Sequence, residues 1–430
     1  MNFRQYGQLL RVPALRQLLL VAMLARIPHS ASAVVLTLHV VNNLGLDYAS
    51  AGMVGAAVTV GIAFGGPWRG RLVDTKGLRR AVLPSIVSEV VIWSIAPFLT
   101  YQLLLVAALV GGALAVPIFS VVRQALGVMV PAEQRRTAYA LDSIGAELTF
   151  MIGPAAGVAL ATINTVPALI VIGVAASLAG VLLFWFNPPT RSGQPGSYQA
   201  DVADAVDSFE ELSPAEAASS TSSAATSPLS RILSPFKGQL NWLNVAVLAV
   251  LAASVGVGMT LTGTDIGIVA VLREHDQQPT IGIVFVFWCA ASIVGGLIYG
   301  ALHRKINPLW LLALMAALTI PMGFATDTWA LALLSVLPGL LCAPVLSASS
   351  EWIANLVPEE RRGEAMGWYG SAITLGSAMG APLAGAAIDW VGPWGGFGSV
   401  GVISALLALL GLAAQWLRRR PSTAASSQLG

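Results

Sequence analysis

Long apolar stretches alternate with short polar connections along almost the whole chain. A helix that crosses a bilayer needs about 20 predominantly apolar residues. Stretches of that kind form a first set of six, at roughly 16–42, 49–68, 81–100, 102–127, 138–162 and 166–186. A second set follows at roughly 241–272, 280–302, 308–326, 329–354, 364–389 and 395–417. The pattern predicts an all-α membrane protein of twelve transmembrane helices, in two pseudo-symmetric six-helix bundles at residues 1–186 and 238–420.

The stretch between the two sets, residues 187–237, differs in composition. It is rich in Ser, Ala, Pro and Thr, and it carries the carboxylates Asp201, Asp204, Asp207, Glu210, Glu211 and Glu216. Such a segment does not bury enough apolar surface to fold by itself. We therefore predict a flexible cytoplasmic linker here, and a short cytoplasmic tail at residues 421–430.

The overall composition also places the chain in a membrane. Of its 430 residues, 56% are hydrophobic and only 10% are charged, which is too apolar for a soluble protein of this size. Cys289 and Cys342 both fall inside apolar stretches, which indicates packed thiols rather than a disulfide or a metal site. The sequence has no G-x4-G-K-[ST] run, no metal-ligand spacing and no nucleophile elbow. We expect neither an enzyme nor an ATP-driven pump, and no cofactor or metal.

The basic residues predict the orientation, because loops that stay in the cytoplasm retain Lys and Arg. If both termini are inside, nearly every loop cation falls on the cytoplasmic side, while Arg273 lies outside and Arg26 lies within the first span. This asymmetry favours an even number of helices. It predicts a multi-pass protein of the inner membrane with cytoplasmic N- and C-termini.

An internal repeat relates the two sets of helices. At one constant spacing, Val130-Pro131, Glu133, Arg135, Ala138 and Gly153 recur as Val357-Pro358, Glu360, Arg362, Ala365 and Gly380. A duplicated six-helix unit is typical of secondary transporters.

The connection between the second and third helices carries a short signature. The pattern G-x-L-x-D-x-x-G-x-[RK] is matched by Gly70, Leu72, Asp74, Gly77 and Arg79, with Arg80 as a further cation. Together with the two halves and the charged linker, this signature resembles the major facilitator superfamily of secondary transporters. The resemblance implies halves that rock about a midplane site, and an inner gate in which Asp74 contacts the partner half. The glycines of this loop would permit a tight turn and a close backbone approach; a merely solvated basic loop is the alternative.

A second signature lies in the fifth helix. The family pattern that marks drug and proton antiporters is matched in part, by Gly145, Gly153, Pro154 and Gly157. Glycines at such positions let membrane helices approach closely, and ordinary helix packing is the plain alternative. The partial match favours export over import.

One feature of that antiporter branch is not evident in the fourth helix. Its members usually carry an arginine there, with a glycine four residues later. The stretch around Ala107, Ala108, Gly111 and Gly112 has no arginine. We therefore expect any proton relay to use other groups.

Ionisable residues at membrane depth are the candidates, because each is costly there unless it is paired or wetted. Arg26 and Glu147 each lie about ten residues into a helix of the first half, or roughly 15 Å deep. This similar depth predicts an Arg26–Glu147 pair, with His29 as a titratable neighbour. Protonation of Glu147 would then release Arg26 and couple protons to substrate. A permanent ion pair between the two helices is the alternative.

Other carboxylates receive different interpretations. Asp142 points away from Glu147 on the same helix and is interpreted as an inner-gate or helix-entry contact. For Glu89 we expect an interior salt bridge or an interfacial position. Asp265, in the outer part of the seventh helix, is the best second-half ligand, with an outer-gate hydrogen bond as the alternative. For Glu351, near the cytoplasmic surface, we weigh interfacial anchoring against a gate role.

The sequence thus favours a proton-coupled secondary transporter that exports a small apolar or amphipathic compound by alternating access. Its partners would be that compound, H⁺ and the lipid bilayer, without nucleic acid, and the protein would be a monomer. Two alternatives stay open: an importer of a neutral or anionic metabolite partnered by Arg26, and a transport-inactive sensor or lipid-handling scaffold. The cargo depends on cavity side chains that the sequence alone does not place.

Overall fold

The computed structural model describes residues 4–46, 48–198, 242–277, 280–302 and 304–419. In these ranges the chain is almost entirely helical and forms no β-strand. Residues 199–237 of the predicted linker and the predicted tail at 421–430 lie outside the described residues. Residues 188–198 are described, and they follow the last helix of the first half as an irregular segment.

The described residues of the first half form eight α-helices. They are α1 (Arg4–Arg11), α2 (Pro13–Asn42), α3 (Tyr48–Lys76), α4 (Leu78–Ile95), α5 (Tyr101–Leu114), α6 (Ile118–Met129), α7 (Arg135–Ile163) and α8 (Thr165–Phe186). Helices α5 and α6 together make one span, so the half has six spans preceded by the short α1.

Where the structure describes the second half, it shows six α-helices. They are α9 (Val245–Glu274), α10 (Ile281–Ala301), α11 (Pro308–Thr319), α12 (Thr328–Leu356), α13 (Arg362–Val391) and α14 (Pro393–Arg419). Among the described residues, eleven helical stretches are long and apolar enough to cross a membrane, and Pro308–Phe324 is a shorter apolar one. This arrangement confirms the predicted all-α architecture.

The signature between the second and third spans is helical rather than a loop. Helix α3 continues to Lys76 and α4 begins at Leu78, so that only Gly77 interrupts the two helices, with a φ of 81°. The prediction of a loop was wrong because a helix whose last turns carry polar residues can extend beyond the apolar segment. The prediction of a tight turn that needs glycine applies to Gly77 alone, since a positive φ is costly for other residues.

The two halves meet at the end of the bundle where α3, α7 and α13 place Lys76, Arg135 and Arg362, here called the basic end. Helix α3 packs against α13, and α7 packs against α10 and α12. The described hydrogen bonds between the halves run from the basic end to Ala63–Ser371 and Glu147–Ser292, near the middle of their helices. The basic end is therefore closed in this structure.

Candidate functional site

A cavity of about 380 Å³ lies next to the closed contact, between the two halves. Helices of the first half form most of its wall, and α9, α12 and α13 complete it. Most of the lining side chains are apolar. The ionisable residues among those that line it are His29, Arg69, Glu89, Arg123 and Tyr369.

A buried charge cluster lies beside this cavity. Arg26 Nη1 of α2 is 2.7 Å from Asp142 Oδ1 of α7, and Arg123 Nε of α6 donates to Asp142 Oδ2 at 3.1 Å. The guanidinium of Arg26 also lies 4.2 Å from the ring centre of Phe119, and that of Arg123 lies 5.2 Å from the ring centre of Tyr369. Two cations share one carboxylate, so the cluster carries a net positive charge.

This cluster corrects the predicted Arg26–Glu147 pair. Arg26 pairs with Asp142 instead, and both ion-pair partners of Asp142 belong to the first half. The interpretation of Asp142 as an inner-gate or helix-entry contact stays a prediction. Asp142 and Glu147 are five residues apart and point in different directions around α7. Asp142 is the one of the two carboxylates that faces α2.

Glu147 is bound by neutral donors of the second half. Ser292 Oγ donates to Oε1 at 2.9 Å, and Cys342 Sγ lies 3.1 Å from the same oxygen. Cys289 Sγ lies 3.9 Å from Oε2. Within the described parts of the chain, no cation lies within salt-bridge distance of this carboxyl group. Glu147 thus joins the two halves without a compensating charge, and both cysteines are free, buried thiols.

The other predicted binding candidates occupy different positions. His29 is half-buried and lines the cavity. Asp265 has an exposed side chain on α9 and lies within electrostatic range of Glu147. Among the described residues that line the cavity, neither Asp265 nor Glu147 is present.

Asp74 fastens α3 to the start of α13. Its Oδ1 accepts the backbone N–H of Gly363 at 3.1 Å and its Oδ2 accepts that of Glu364 at 2.8 Å. Gln124 Nε2 donates to Oδ1 at 2.7 Å. The first N–H groups of a helix lack partners within the helix and carry partial positive charge. Asp74 therefore caps α13 from the other half, in the contact that the sequence resemblance implies.

The remaining residues of the signature support this contact in different ways. A side chain on Gly70 would collide with the carbonyl oxygen of Gly363. Leu72 is half-buried and packs against the core. Arg79 is exposed and stacks on Phe184 of α8, with 5.6 Å between the guanidinium and the ring centre, while Arg80 is exposed.

A second ion pair closes the basic end. Arg136 Nε of α7 donates to Glu351 Oε2 of α12 at 3.1 Å, and Arg136 Nη1 donates to the carbonyl oxygens of Leu302 and Arg304. Tyr299 of α10 donates to the same carboxylate at 3.4 Å. Of the two interpretations of Glu351, the structure supports the contact at the gate, because the carboxylate joins the halves and is buried.

Arg123 is the residue that the sequence interpretation missed. It lies buried in α6, the second part of the fourth span, and Gly127 follows four residues later. This is the spacing of the antiporter feature that was sought earlier in the same span, around Ala107, Ala108, Gly111 and Gly112. A Cβ on Gly127 would lie 2.9 Å from the hydroxyl of Tyr139, so the glycine permits close packing of α6 on α7. The Arg-x3-Gly spacing was the signal that could have found it.

The glycines of the fifth span bring α7 close to α2. A Cβ on Gly153 would collide with Ser30, and one on Gly157 would lie 2.9 Å from the carbonyl oxygen of Ala31. Pro154 lies between them inside the continuous helix α7. These close contacts support the interpretation of this signature as a site of helix packing.

Glu89 forms no salt bridge within the described residues, contrary to one of the two expectations. It is buried in α4, and its Oε2 accepts the indole N–H of Trp93 at 2.6 Å.

Comparisons with known proteins agree with this architecture. The family model of the Major Facilitator Superfamily matches residues 18–326 and, in a second match, residues 248–429. No curated protein is a significant match to the sequence.

Several solved structures share the fold over nearly the whole chain. The human organic anion transporter MFSD10 (TETRAN) has a TM-score of 0.66 at 16% identity, covering 93% of this chain and 100% of that chain. A bacterial homologue of the iron transporter ferroportin, in an outward-facing state, has a TM-score of 0.65 at 14% identity, covering 95% and 100%. The proton:xylose symporter XylE bound to 6-bromo-6-deoxy-D-glucose has a TM-score of 0.62 at 12% identity, covering 93% and 95%. At such identities the likeness shows a common fold and leaves the cargo open.

Proposed function

Because the chain belongs to the Major Facilitator Superfamily, we propose that it is a proton-coupled secondary transporter. In this proposal it exports a small apolar or amphipathic compound across the inner membrane by alternating access. The basic end faces the cytoplasm, since Lys and Arg are retained there. The structure then corresponds to a state whose cytoplasmic side is closed.

The position of Glu147 is the observation that carries the proposal. The carboxyl group is buried near the middle of α7 and contacts Ser292 and Cys342 across the interface between the halves. An ionised carboxylate at membrane depth is costly without a cation or water, so a change of protonation alters the interface that must open. Asp142 is a poorer proton carrier, because Arg26 and Arg123 balance its charge.

Two features support the export direction. Arg123 with Gly127 has the spacing of the antiporter feature of the fourth span, and Gly145, Gly153, Pro154 and Gly157 match the antiporter pattern of the fifth span in part. The mostly apolar cavity suits an apolar or amphipathic compound. Arg26, the expected partner of an anionic metabolite in the import alternative, is already paired with Asp142.

The test combines a binding screen with transport. Purified protein is screened by thermal shift against drugs, sugars, amino acids and lipids, since a bound cargo stabilises the folded state. A compound found in this way is then followed in inside-out vesicles, together with proton movement. We expect uptake into these vesicles that depends on an imposed pH gradient.

The Glu147→Gln variant tests the role of the carboxyl group. We expect it to lose uptake driven by the pH gradient, because the glutamine amide cannot bind and release a proton as the carboxyl group can. It should keep the exchange of labelled for unlabelled cargo. Glu133→Gln, at an exposed carboxylate just before α7, serves as the matched control and should transport normally. Proton-coupled accumulation by a stably folded Glu147→Gln protein would disprove the proposed role.

A further inference from the structure

Arg69 is a buried arginine with no carboxylate at salt-bridge distance among the described residues. Its residue is 1% exposed, and it lies in α3, seven residues before the end of the helix. Its Nη2 donates to the carbonyl oxygen of Ala81 at 2.6 Å and to the hydroxyl of Ser85, both on α4. Among the described residues, nothing bonds to its Nε or its Nη1. A guanidinium that has lost water at two nitrogens without gaining an anion is unfavourable.

The nearest carboxyl group on the facing helix does not compensate this charge. Glu89 lies one turn after Ser85 on α4, but it accepts the indole N–H of Trp93 and the backbone N–H of Val116. Its distance from Arg69 exceeds that of a salt bridge within the described part of the chain. Both charged residues line the same cavity. Arg69, whose Nε and Nη1 are buried without a described partner, thus forms part of the wall of a space that a ligand can enter.

The fourth span adds a second positive feature to this cavity. Helix α5 ends at Leu114 and α6 begins at Ile118, and the residues between them, together with the first turn of α6, line the cavity. Pro117 lacks an N–H and disfavours helix at the residue before it. The start of the twelve-residue α6 therefore presents the positive end of a helix at membrane depth. Broken helices of this kind bind anionic substrate groups in other transporter folds.

We propose that this cavity binds an amphipathic organic anion, whose carboxylate is held by Arg69 and faces the start of α6. The apolar walls contact the rest of the ligand. The cavity volume of about 380 Å³ falls within the range of roughly 300–1,000 Å³ that small-molecule sites occupy. The inference rests on the proposed function in taking this cavity as the cargo site, and it narrows the cargo to a carboxylate-bearing compound.

Three probes that share a naphthalene ring but differ in charge test whether the cavity prefers an anion. The purified full-length protein is titrated at neutral pH with 2-naphthoate, 2-naphthamide and 2-naphthylmethylammonium, by calorimetry and thermal shift. We expect 2-naphthoate to bind and to raise the melting temperature, while the neutral amide and the cation bind at least about tenfold more weakly. Equal binding of naphthoate and naphthamide, or no binding of any of the three at millimolar concentration, overturns the proposal.

Variants of Arg69 test the anchor. Arg69→Met should weaken naphthoate binding about tenfold or more and remove the preference over the amide, whereas Arg69→Lys should keep part of both. The Met variant without ligand should melt at the wild-type temperature or above, because an unpaired buried cation is removed. Arg80→Met, at an exposed arginine that does not line the cavity, is the control and should bind like the wild type.

The outcomes separate this inference from the proposed function. If Arg69→Met melts earlier and still prefers naphthoate, Arg69 only supports the fold and the inference is wrong. If naphthoate binds as expected but no pH gradient drives transport, the inference holds and the proposed function fails. If coupled transport is intact but binding ignores the charge of the probe, the inference fails alone.

Discussion

At the scale of single residues, two carboxylates of α7 have opposite surroundings. Asp142 is fully buried between two arginines of its own half, while Glu147 contacts a hydroxyl and two thiols of the other half. One carboxylate is therefore fixed in charge and holds the first half together. The other has no described cation at salt-bridge distance and lies at the interface between the halves, which is where the proposed function places the exchange of a proton.

This difference predicts a stability effect for Asp142→Asn. The substitution leaves Arg26 and Arg123 buried without a compensating charge, and removing one partner of a buried ion pair typically costs about 3–5 kcal/mol. We expect a clearly lower melting temperature of the purified protein and a larger fraction of aggregated material. Glu133→Gln, which changes an exposed carboxylate, should melt like the wild type. A melting temperature of Asp142→Asn equal to that of the wild type would show that the pair contributes no stability.

The identity of the partner of Arg26 could not be predicted from depth. Five residues of helix separate Asp142 and Glu147 by only about 7.5 Å along the axis, and a long arginine side chain can span much of that distance. The helical period correctly predicts that the two carboxylates point in different directions around α7. It did not give the rotation of α7 against α2, which depends on the close packing of Gly153 and Gly157 on α2.

At the scale of helices, close approach at glycines closes the basic end. Gly70 of α3 contacts the backbone of Gly363 on α13, and Gly66 contacts Gly367 one turn further into the bundle. Asp74 can reach the first N–H groups of α13 only because these backbones lie so close. The signature motif and the duplicated second half both contribute to this contact.

The contact predicts that Gly70→Leu opens the basic end. The leucine side chain would collide with the backbone of α13, which cannot move aside as a flexible side chain can. We expect loss of transport, together with strong maleimide labelling of a cysteine introduced at Ser143, which is buried in the closed state. The control is Gly52→Leu on the same helix, because a Cβ there meets nothing within 4 Å. Unchanged labelling and transport in Gly70→Leu would contradict the proposed closure.

Helix existence was predictable, but helix continuity was not. The apolar stretch at 102–127 predicts one helix, whereas the structure divides this span at Ala115–Pro117. Proline alone is a poor guide, since α2 passes through Pro28 and α12 through Pro338 and Pro344 without a break. In a membrane, neighbouring helices decide whether a proline-containing backbone can remain helical.

At the scale of the whole molecule, the two halves contact each other from the basic end to the middle of their helices. The repeat, the cation distribution and the apolar stretches together predict two bundles of six spans. They contain no information on which bundle faces contact each other in a given state. Among the described residues, those contacts depend on pairs such as Ser143–Ser347, which differ by 204 positions along the chain.

Rocking of rigid halves predicts that a single bond between them stops the cycle. Ser143 Oγ of α7 and Ser347 Oγ of α12 lie 3.0 Å apart, so Ser143→Cys with Ser347→Cys should form a disulfide under mild oxidation. This bond would hold the basic end closed, and we expect transport to cease and to return after reduction. Formation is checked by cutting the chain between residues 199 and 241 and testing whether the two halves stay together on a gel.

A matched pair of cysteines within one half serves as the control for that experiment. The hydroxyl oxygens of Thr280 and Thr328 lie 2.6 Å apart at the opposite end of the bundle. Both residues belong to the second half. A disulfide from Thr280→Cys with Thr328→Cys should therefore form equally well and leave transport intact, because the half moves as one body. If the bond within the half also abolishes transport, or if the bond between the halves leaves it unchanged, the cycle does not consist of rigid halves that separate at the basic end.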